Sequence, residues 1–165
     1  MTLPNSSAKV AQSALLWVFV ANIVFQGPAA LTLDSKGRIA MPARHRELLA
    51  AMGAAQLTIT KHPVGSLMIF PRPAWEVFRD RVAALPMEGS GWKRVFLGNA
   101  MDVDIDASSR VLIPPELRAS AGLVREVMLL GMGSHFELWD AAAHAEHEAG
   151  VMRSEMPESL KTFSF

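Results

Sequence analysis

The stretch Leu33-Asp34-Ser35-Lys36-Gly37-Arg38-Ile39-Ala40-Met41-Pro42 returns 72 positions later as Ile105-Asp106-Ala107-Ser108-Ser109-Arg110-Val111-Leu112-Ile113-Pro114. In both stretches an apolar segment runs into an Asp, small or polar residues follow, and an Arg begins a second apolar segment that ends at a Pro. Two apolar segments joined by such a turn predict a β-hairpin. Each stretch continues into a short helical pattern that opens with Pro and closes at Gly53 or Gly122. A repeat of this length indicates two related modules.

Composition limits the possible classes of protein. The chain has 165 residues, and 50% of them are hydrophobic. A chain of this size buries one moderate core or two very small ones, and the repeat favours two small modules that share a core. The chain contains no cysteine, which excludes a disulfide framework, a thiolate zinc site and a catalytic cysteine.

Charge is distributed unevenly along the chain. The segment Val24–Gly98, here called the first copy, holds ten Lys/Arg and five Asp/Glu, whereas the second copy, Asn99–Phe165, holds five and eleven. The formal net charge of zero is therefore a cancellation between two opposite halves. This asymmetry favours phosphate binding by the first copy; two solvated surfaces that differ by chance are the alternative.

The periodicity of apolar residues predicts short strands interleaved with short helices. Such an arrangement indicates a mixed α+β fold with intertwined small sheets rather than long βαβ crossovers. In the first copy the predicted elements are strands Ala30–Leu33 and Arg38–Met41, helix Ala43–Met52, strands Leu57–Thr60 and Leu67–Phe70, helix Ala74–Leu85 and a linker at Pro86–Gly91. In the second copy they are two strands around Asp106–Arg110, a helix after Pro114, strands Glu126–Leu130 and His135–Trp139, helix Ala141–Met152 and a loose tail from 153 to 165.

Basic residues cluster around the first of the two turns. Lys36, Arg38, Arg44 and Arg46 lie within eleven residues of one another. Such a cluster suits phosphate contacts, and the arginine fork also matches the O6/N7 edge of guanine. The competing interpretation is structural, because Asp34 with Arg38, and Asp106 with Arg110, could form ion pairs that close the turns.

Enzymatic signatures are weak in this sequence. His144 and His147 sit on a predicted helix without the spacing of a His-Glu-x-x-His zinc motif, and no glycine-rich phosphate loop is present. Asp102, Asp104 and Asp106 alternate on a predicted strand and share one face, which could bind a divalent cation, although a solvated sheet face is the commoner outcome. No metal site and no cofactor are therefore expected.

Further motifs extend the pattern and resemble the MraZ family, bacterial transcriptional regulators of the division and cell-wall gene cluster. Besides the two turns, the matching motifs are Phe25-Gln26-Gly27, Phe70-Pro71-Arg72-Pro73-Ala74-Trp75-Glu76, Leu97-Gly98-Asn99-Ala100 and Phe136-Glu137-Leu138-Trp139-Asp140. One departure is visible, because Ser109 stands where the second signature commonly has Gly.

The resemblance implies a fold, a function and a set of contact residues. It implies two tandem SpoVT/AbrB-type swapped-hairpin modules at 28–70 and 99–142, which form a double-split β-barrel with short helices. It further implies a cytoplasmic, nucleoid-associated regulator, usually a repressor, that binds direct repeats of double-stranded DNA in its own promoter as a ring-like homo-oligomer, with no membrane partner. The resemblance places DNA contact at the signature arginines, and with the basic cluster the expected contacts are Lys36, Arg38, Arg44, Arg46 and Arg110. Turn chemistry gives turn-forming roles to Asp34, Gly37 and Asp106.

The first 23 residues stand outside the repeat. Ala14–Phe25 is apolar, but it is too short to span a bilayer and lacks a convincing cleavage site. Proteins of the resembled family usually begin one residue before the Phe-x-Gly motif, and this chain has Val24 at that place. A GUG start codon is read as valine when translation is assigned from further upstream. We therefore expect residues 1–23 to be a non-native extension and translation to begin at position 24.

Three classes of function remain open at this stage. A DNA-binding regulator is favoured by the repeat, the basic first copy and the resemblance. A structural or protein-interaction module without DNA binding would use the acidic second copy and the apolar strands as its contact surface. A metal hydrolase would use the aspartate row and would contain a divalent ion.

Overall fold

The computed structural model describes residues 23–163; the extension predicted at 1–23 thus lies almost wholly outside the described residues. Within these residues, eight strands and five α-helices follow one another. The strands are β1 Phe25–Thr32, β2 Arg38–Ala40, β3 Gln56–Lys61, β4 Leu67–Pro71, β5 Met101–Asp104, β6 Arg110–Leu112, β7 Glu126–Gly133 and β8 Phe136–Asp140. The helices are α1 Ala43–Ala51, α2 Arg72–Ala83, α3 Ser90–Phe96, α4 Pro115–Ser120 and α5 Ala141–Arg153. The fold is mixed α and β, as the sequence predicted.

Strands from the two copies pair with one another. Six strands form an antiparallel sheet in the order β1-β7-β8-β4-β3-β5, and β2 pairs with β6 in a separate two-stranded sheet, here called the ribbon. The first copy contributes β1, β3 and β4 to the large sheet, and the second copy contributes β5, β7 and β8. The chain thus builds one shared sheet instead of two independent ones.

The two predicted hairpins around the Asp turns differ from a simple paired hairpin. β1 pairs along its length with β7, and β2 pairs with β6, so the strands on either side of the first turn have different partners. Local pairing is confined to the turns themselves, where the backbone amides of Asp34 and Asp106 donate to the carbonyl oxygens of Arg38 and Arg110 and one bridge joins Ile105 to Val111. The turns were therefore predicted correctly, whereas the expectation that the flanking strands pair with each other was wrong. The physical reason is that a module of this size exposes strand edges, and exchange of strands covers those edges and completes the core.

The main core lies between the large sheet and the ribbon. Its fully buried side chains come from both copies, including Ile39 and Val111 of the ribbon and Leu57, Leu129 and Phe136 of the sheet. Ile39 and Val111 are directly opposite each other in the ribbon register. The ribbon is therefore fixed to the body of the protein by its inner face.

A second, aromatic cluster lies on the opposite face of the sheet. Phe70 and Trp75 form its centre, and Phe78 and Phe96 pack against them from α2 and α3. The linker predicted at Pro86–Gly91 overlaps the short connection between α2 and α3, but it is not irregular throughout, because Met87–Gly89 form a 3-10 turn and α3 begins at Ser90. The edge-to-face contact between Phe78 and Phe96, 5.4 Å between ring centroids, holds α3 against α2.

The C-terminal segment contains some regular structure beyond α5. Glu158–Leu160 form a 3-10 turn, so the tail predicted from 153 onward is not wholly irregular. In the described part of the chain, no helix combines the length and the apolar character needed to cross a membrane.

Candidate nucleic-acid interface

The first Asp turn is held by a dense set of local hydrogen bonds. Asp34 Oδ1 accepts from the backbone amides of Lys36 and Arg38, each at 2.9 Å, and Asp34 Oδ2 accepts from Arg38 Nε at 2.7 Å. The backbone amide of Arg38 is the largest cause that lowers the pKa of Asp34, to about 2, and the Arg38 side chain and the Lys36 amide add to it. Asp34 is therefore an ionised anchor at neutral pH.

The second turn repeats this arrangement atom for atom. Asp106 Oδ1 accepts from the amides of Ser108 and Arg110 at 2.9 Å, and Asp106 Oδ2 accepts from Arg110 Nε at 3.0 Å. The Arg110 amide is again the largest cause that lowers the pKa of Asp106. The two turns thus present the arginines Arg38 and Arg110 in the same way.

Both turns require a residue with positive φ just before the arginine. Gly37 has φ +78°, and Ser109 has φ +60° and is the one non-glycine residue with positive φ among residues 23–163. The left-handed conformation costs a residue with a Cβ about 1–2 kcal/mol. The second turn therefore keeps the same geometry with Ser109 in place of glycine, at the expense of local strain.

The ribbon places the two arginines on one exposed face. In its register Arg38 is opposite Leu112, and Ala40 is opposite Arg110. Because side chains alternate between the faces of a strand, these four residues point away from the core, whereas Ile39 and Val111 point into it. Arg38 and Arg110 are diagonal neighbours, which lie roughly 7–8 Å apart in an antiparallel pair, with their Cβ atoms somewhat closer.

The ion pairs leave the outer end of each arginine open. Asp34 binds Arg38 through Nε, and Asp106 binds Arg110 through Nε. Among the residues that the structure describes, the terminal Nη atoms of these two arginines have no hydrogen-bond partner. The structural and the DNA-contact interpretations of Arg38 and Arg110 are thus compatible, because the carboxylate orients the guanidinium and leaves its fork free to bind.

Arg46 and Arg118 form a second related pair across the two copies. Arg46 Nη1 donates to Ser109 Oγ at 3.3 Å, and the guanidinium of Arg118 packs over Gly37 so closely that an added Cβ at Gly37 would overlap it. Each of these arginines thus contacts the turn of the other copy. Arg118 was not among the contact residues expected from the sequence, although the 72-residue offset that relates Arg38 to Arg110 also relates Arg46 to Arg118.

Two further residues of the predicted basic cluster lie in different surroundings. Arg44 Nη2 donates to the carbonyl oxygen of Pro28 at 2.7 Å, and Arg44 Nε donates to His45 Nε2 at 3.3 Å. Burial, and then the Arg44 charge, lower the pKa of His45, which keeps the imidazole neutral and able to accept this bond. Arg44 is therefore directed to β1, whereas Lys36 is exposed at the tip of the first turn.

The aspartates that alternate along the predicted strand bind different partners and do not form a shared site. Asp102 accepts from Thr58 Oγ1 at 2.6 Å and from Arg72, and Asp106 belongs to the second turn. Within residues 23–163, no three His, Asp or Glu side chains are arranged to hold a metal ion.

Comparisons with known proteins identify the relatives of this chain. The model of the family described as "MraZ protein, putative antitoxin-like" matches residues 24–90 and 96–161. Two curated proteins named "Transcriptional regulator MraZ", from Methylibium petroleiphilum and Leptothrix cholodnii, are 68% and 61% identical over 146 residues, which cover 88% of this chain and 100% of each relative. A solution structure of a protein from Pyrococcus horikoshii matches over 70% of this chain and 97% of the other chain, with 16% identity and a TM-score of 0.33. A TM-score this low does not show a shared fold.

Proposed function

The chain belongs to the MraZ family, whose members named above are transcriptional regulators, and on that premise we propose that it binds double-stranded DNA through the outer face of the ribbon. We propose further that it is a repressor of its own promoter and of the division and cell-wall gene cluster. The direct repeats of that promoter would be its binding sites.

One observation carries this proposal, namely the pair of oriented arginines on the ribbon. The major groove of B-DNA admits a two-stranded β-ribbon. The spacing of diagonal neighbours such as Arg38 and Arg110, roughly 7 Å, corresponds to about two base steps of 3.4 Å. With each Nε fixed by an aspartate, the two Nη atoms form a fork that matches O6 and N7 of guanine. Each arginine would therefore read a base within one operator repeat.

Phosphate contacts would come mainly from the first copy. Lys36 extends from the first turn, while Ser108 occupies the equivalent place in the second, and Arg46 lies beside Ser109. Arg44 would contribute its positive charge near the DNA while its guanidinium supports β1. Backbone contacts of this kind set register and affinity, and base contacts set specificity.

Assembly would multiply these contacts. The strand exchange between the copies supports two swapped-hairpin modules, at 28–70 and 99–142, in a double-split barrel. The edge strands β1 and β5 and the opposite charges of the two copies favour a head-to-tail contact between chains, which closes into a ring. Several ribbons on one ring would then engage successive repeats, so that weak contacts add through effective concentration. Light scattering at micromolar concentration should give a particle larger than a dimer, and a monomer would contradict this assembly.

A salt titration of binding to the chain's own promoter DNA tests the proposed function. The logarithm of the binding constant should fall with the logarithm of salt concentration with a slope near −0.9 per phosphate contacted. A protein-interaction module without DNA binding, the alternative, would give no such dependence. Arg38→Ala and Arg110→Ala should each cost about 1–3 kcal/mol per engaged site and should relax discrimination against mutated repeats.

Two further variants separate base contacts from general charge. Lys36→Ala should weaken specific and non-specific DNA alike and reduce the slope by about one per engaged site. Arg94→Ala is the control, since Arg94 is exposed on α3, which packs against β3 and α2 rather than the ribbon. If Arg38→Ala and Arg110→Ala assemble normally and bind as tightly as Arg94→Ala, the turn arginines are structural and the proposed interface is wrong.

A further inference from the structure

An apolar groove lies beside the aromatic cluster formed by β4 and α2. It runs between the start of β1, the end of α1 and the face of α2, and it has a volume of about 420 Å³. Its lining includes Met52, Phe70, Val77, Phe78 and His135. Phe70 stacks on Phe78 at 4.9 Å and on His135 at 4.8 Å between ring centroids. These stacked rings line one side of the groove.

The groove carries a single full charge on its rim. Arg81, on α2, is the one Lys, Arg, Asp or Glu among the lining residues, and it makes no ion pair within the described part of the chain. Burial lowers the pKa of the neighbouring His135, so that its ring is neutral near pH 7. A ligand for this groove would therefore be apolar with one negative charge placed to meet Arg81.

The C-terminal segment Val151–Leu160 combines exposed apolar side chains with a net negative charge, because it holds Glu155 and Glu158 against Arg153. Glu158 is paired with Lys161, which leaves Glu155 as the acidic group available to Arg81. In Val151–Leu160 the side chains of Met152, Met156 and Leu160 are 81%, 47% and 45% exposed. Methionine is flexible and polarizable and adapts well to irregular apolar surfaces. Glu155, beside Met156, has no ion-pair partner among residues 23–163. Exposed apolar side chains that follow one another in this way mark a contact surface.

The segment does not reach the groove of its own chain. α5, which leads into it, packs on β7 and β8, and the groove is lined by residues no later in the chain than His135. We propose that the segment Val151–Leu160 of one chain docks in the groove of a second copy, with Glu155 facing Arg81. This inference rests on the proposed homo-oligomer and assigns its interface. Because the groove belongs mainly to the first copy and the segment to the second, the contact is head-to-tail and can close into a ring.

Disulfide cross-linking tests the contact directly, because the chain contains no cysteine of its own. One population of full-length chains carries Val77→Cys, and another carries Met156→Cys with a distinguishing tag. When the two are mixed, unfolded, refolded together and oxidised, they should form a cross-linked heterodimer in high yield. A mixture of Val77→Cys with Val124→Cys is the control, since Val124 is 85% exposed and lies outside both surfaces. Equal yields in the two mixtures would overturn the assignment.

Charge reversal supplies an independent measurement. Arg81→Glu and Glu155→Arg should each shift the particle to smaller mass in light scattering, and the double variant should restore the parental mass. If the oligomer persists in both single variants and no cross-link to position 156 forms, the groove has another occupant, such as residues 1–22 of the same chain, and this inference fails. That result would not contradict the proposed oligomer or the proposed DNA interface, because particle mass and promoter binding are measured separately. A parent chain that is monomeric would instead refute the oligomer itself.

Discussion

Substitutions at the two equivalent turn positions, Gly37 and Ser109, test how the turns are stabilised. Gly37→Ala places a Cβ at φ +78°, which costs about 1–2 kcal/mol. The same Cβ displaces the Arg118 guanidinium, at about 0.5–1.5 kcal/mol for a strained rotamer. Alanine also reduces the conformational freedom of the unfolded chain, which stabilises the folded protein by about 0.4–1 kcal/mol. We expect a net loss of about 1–2 kcal/mol in the free energy of unfolding.

The opposite exchange in the second turn should have little effect. Ser109→Gly relieves about 1–2 kcal/mol of strain at φ +60°. Two effects oppose this gain. Glycine gives the unfolded chain more freedom, which costs about 0.5–1 kcal/mol, and the exposed hydrogen bond from Arg46 is lost, which costs about 0.5 kcal/mol. The free energy of unfolding should therefore stay within about 1 kcal/mol of the parent.

Urea unfolding followed by circular dichroism measures both variants. The protein concentration must be the same in every sample, because the stability of an oligomer depends on it. A Gly37→Ala protein as stable as the parent would refute the argument. So would a Ser109→Gly protein that loses as much stability as Gly37→Ala, since the two positions would then not differ in strain and packing as the structure indicates.

Other predictions follow from the same two turns and the ribbon. The Asp34 carboxyl, whose pKa is about 2 against a usual 3.8, stabilises the fold above about pH 4, and this contribution is lost as the pH falls towards 2; a carboxyl titration followed by NMR should show the low midpoint. In Arg38→Ala the pKa of Asp34 should remain below 3.8, because the largest cause is the backbone amide of residue 38, which alanine keeps; a return to 3.8 would contradict this. Ile39→Ala should cost about 2–5 kcal/mol in urea unfolding, because Ile39 is fully buried, whereas Leu112→Ala, on the exposed face of the same ribbon, should cost about 0.5 kcal/mol or less. Arg38→Lys should lose most of the specific DNA affinity in a promoter-binding titration, because an ammonium group cannot reproduce the two-pronged contact of a guanidinium; parental affinity would refute base reading by Arg38.

The local features of the fold could be predicted from the sequence because their interactions join near neighbours. The turn at Asp34 depends on hydrogen bonds between residues two and four positions apart. The helices α1 and α4 begin directly after a Pro and are followed by a positive-φ glycine, Gly53 or Gly122, and these signals also lie within the segment itself. The duplication and the opposite charges of the two copies were likewise visible without coordinates.

The partners of each strand were decided by the tertiary structure. A strand edge can bond to any other strand of suitable length, so local pattern alone favoured pairing of β1 with β2 across the turn. The observed arrangement, in which β1 joins β7 and β2 joins β6, places Ile39 and Val111 together in one core, and burial of such apolar side chains favours it.

The candidate site shows the same difference between local interactions, which the sequence determined, and long-range contacts, which it left open. The sequence determined that Arg38 and Arg110 follow matched aspartate turns, since each ion pair spans four residues. It could not place both arginines on one face of a shared ribbon, nor show that Arg46 and Arg118 cross to the opposite turns, since those contacts join residues more than sixty positions apart. Contacts over such distances along the chain form only when the whole core assembles, and that assembly turns two separate motifs into one surface.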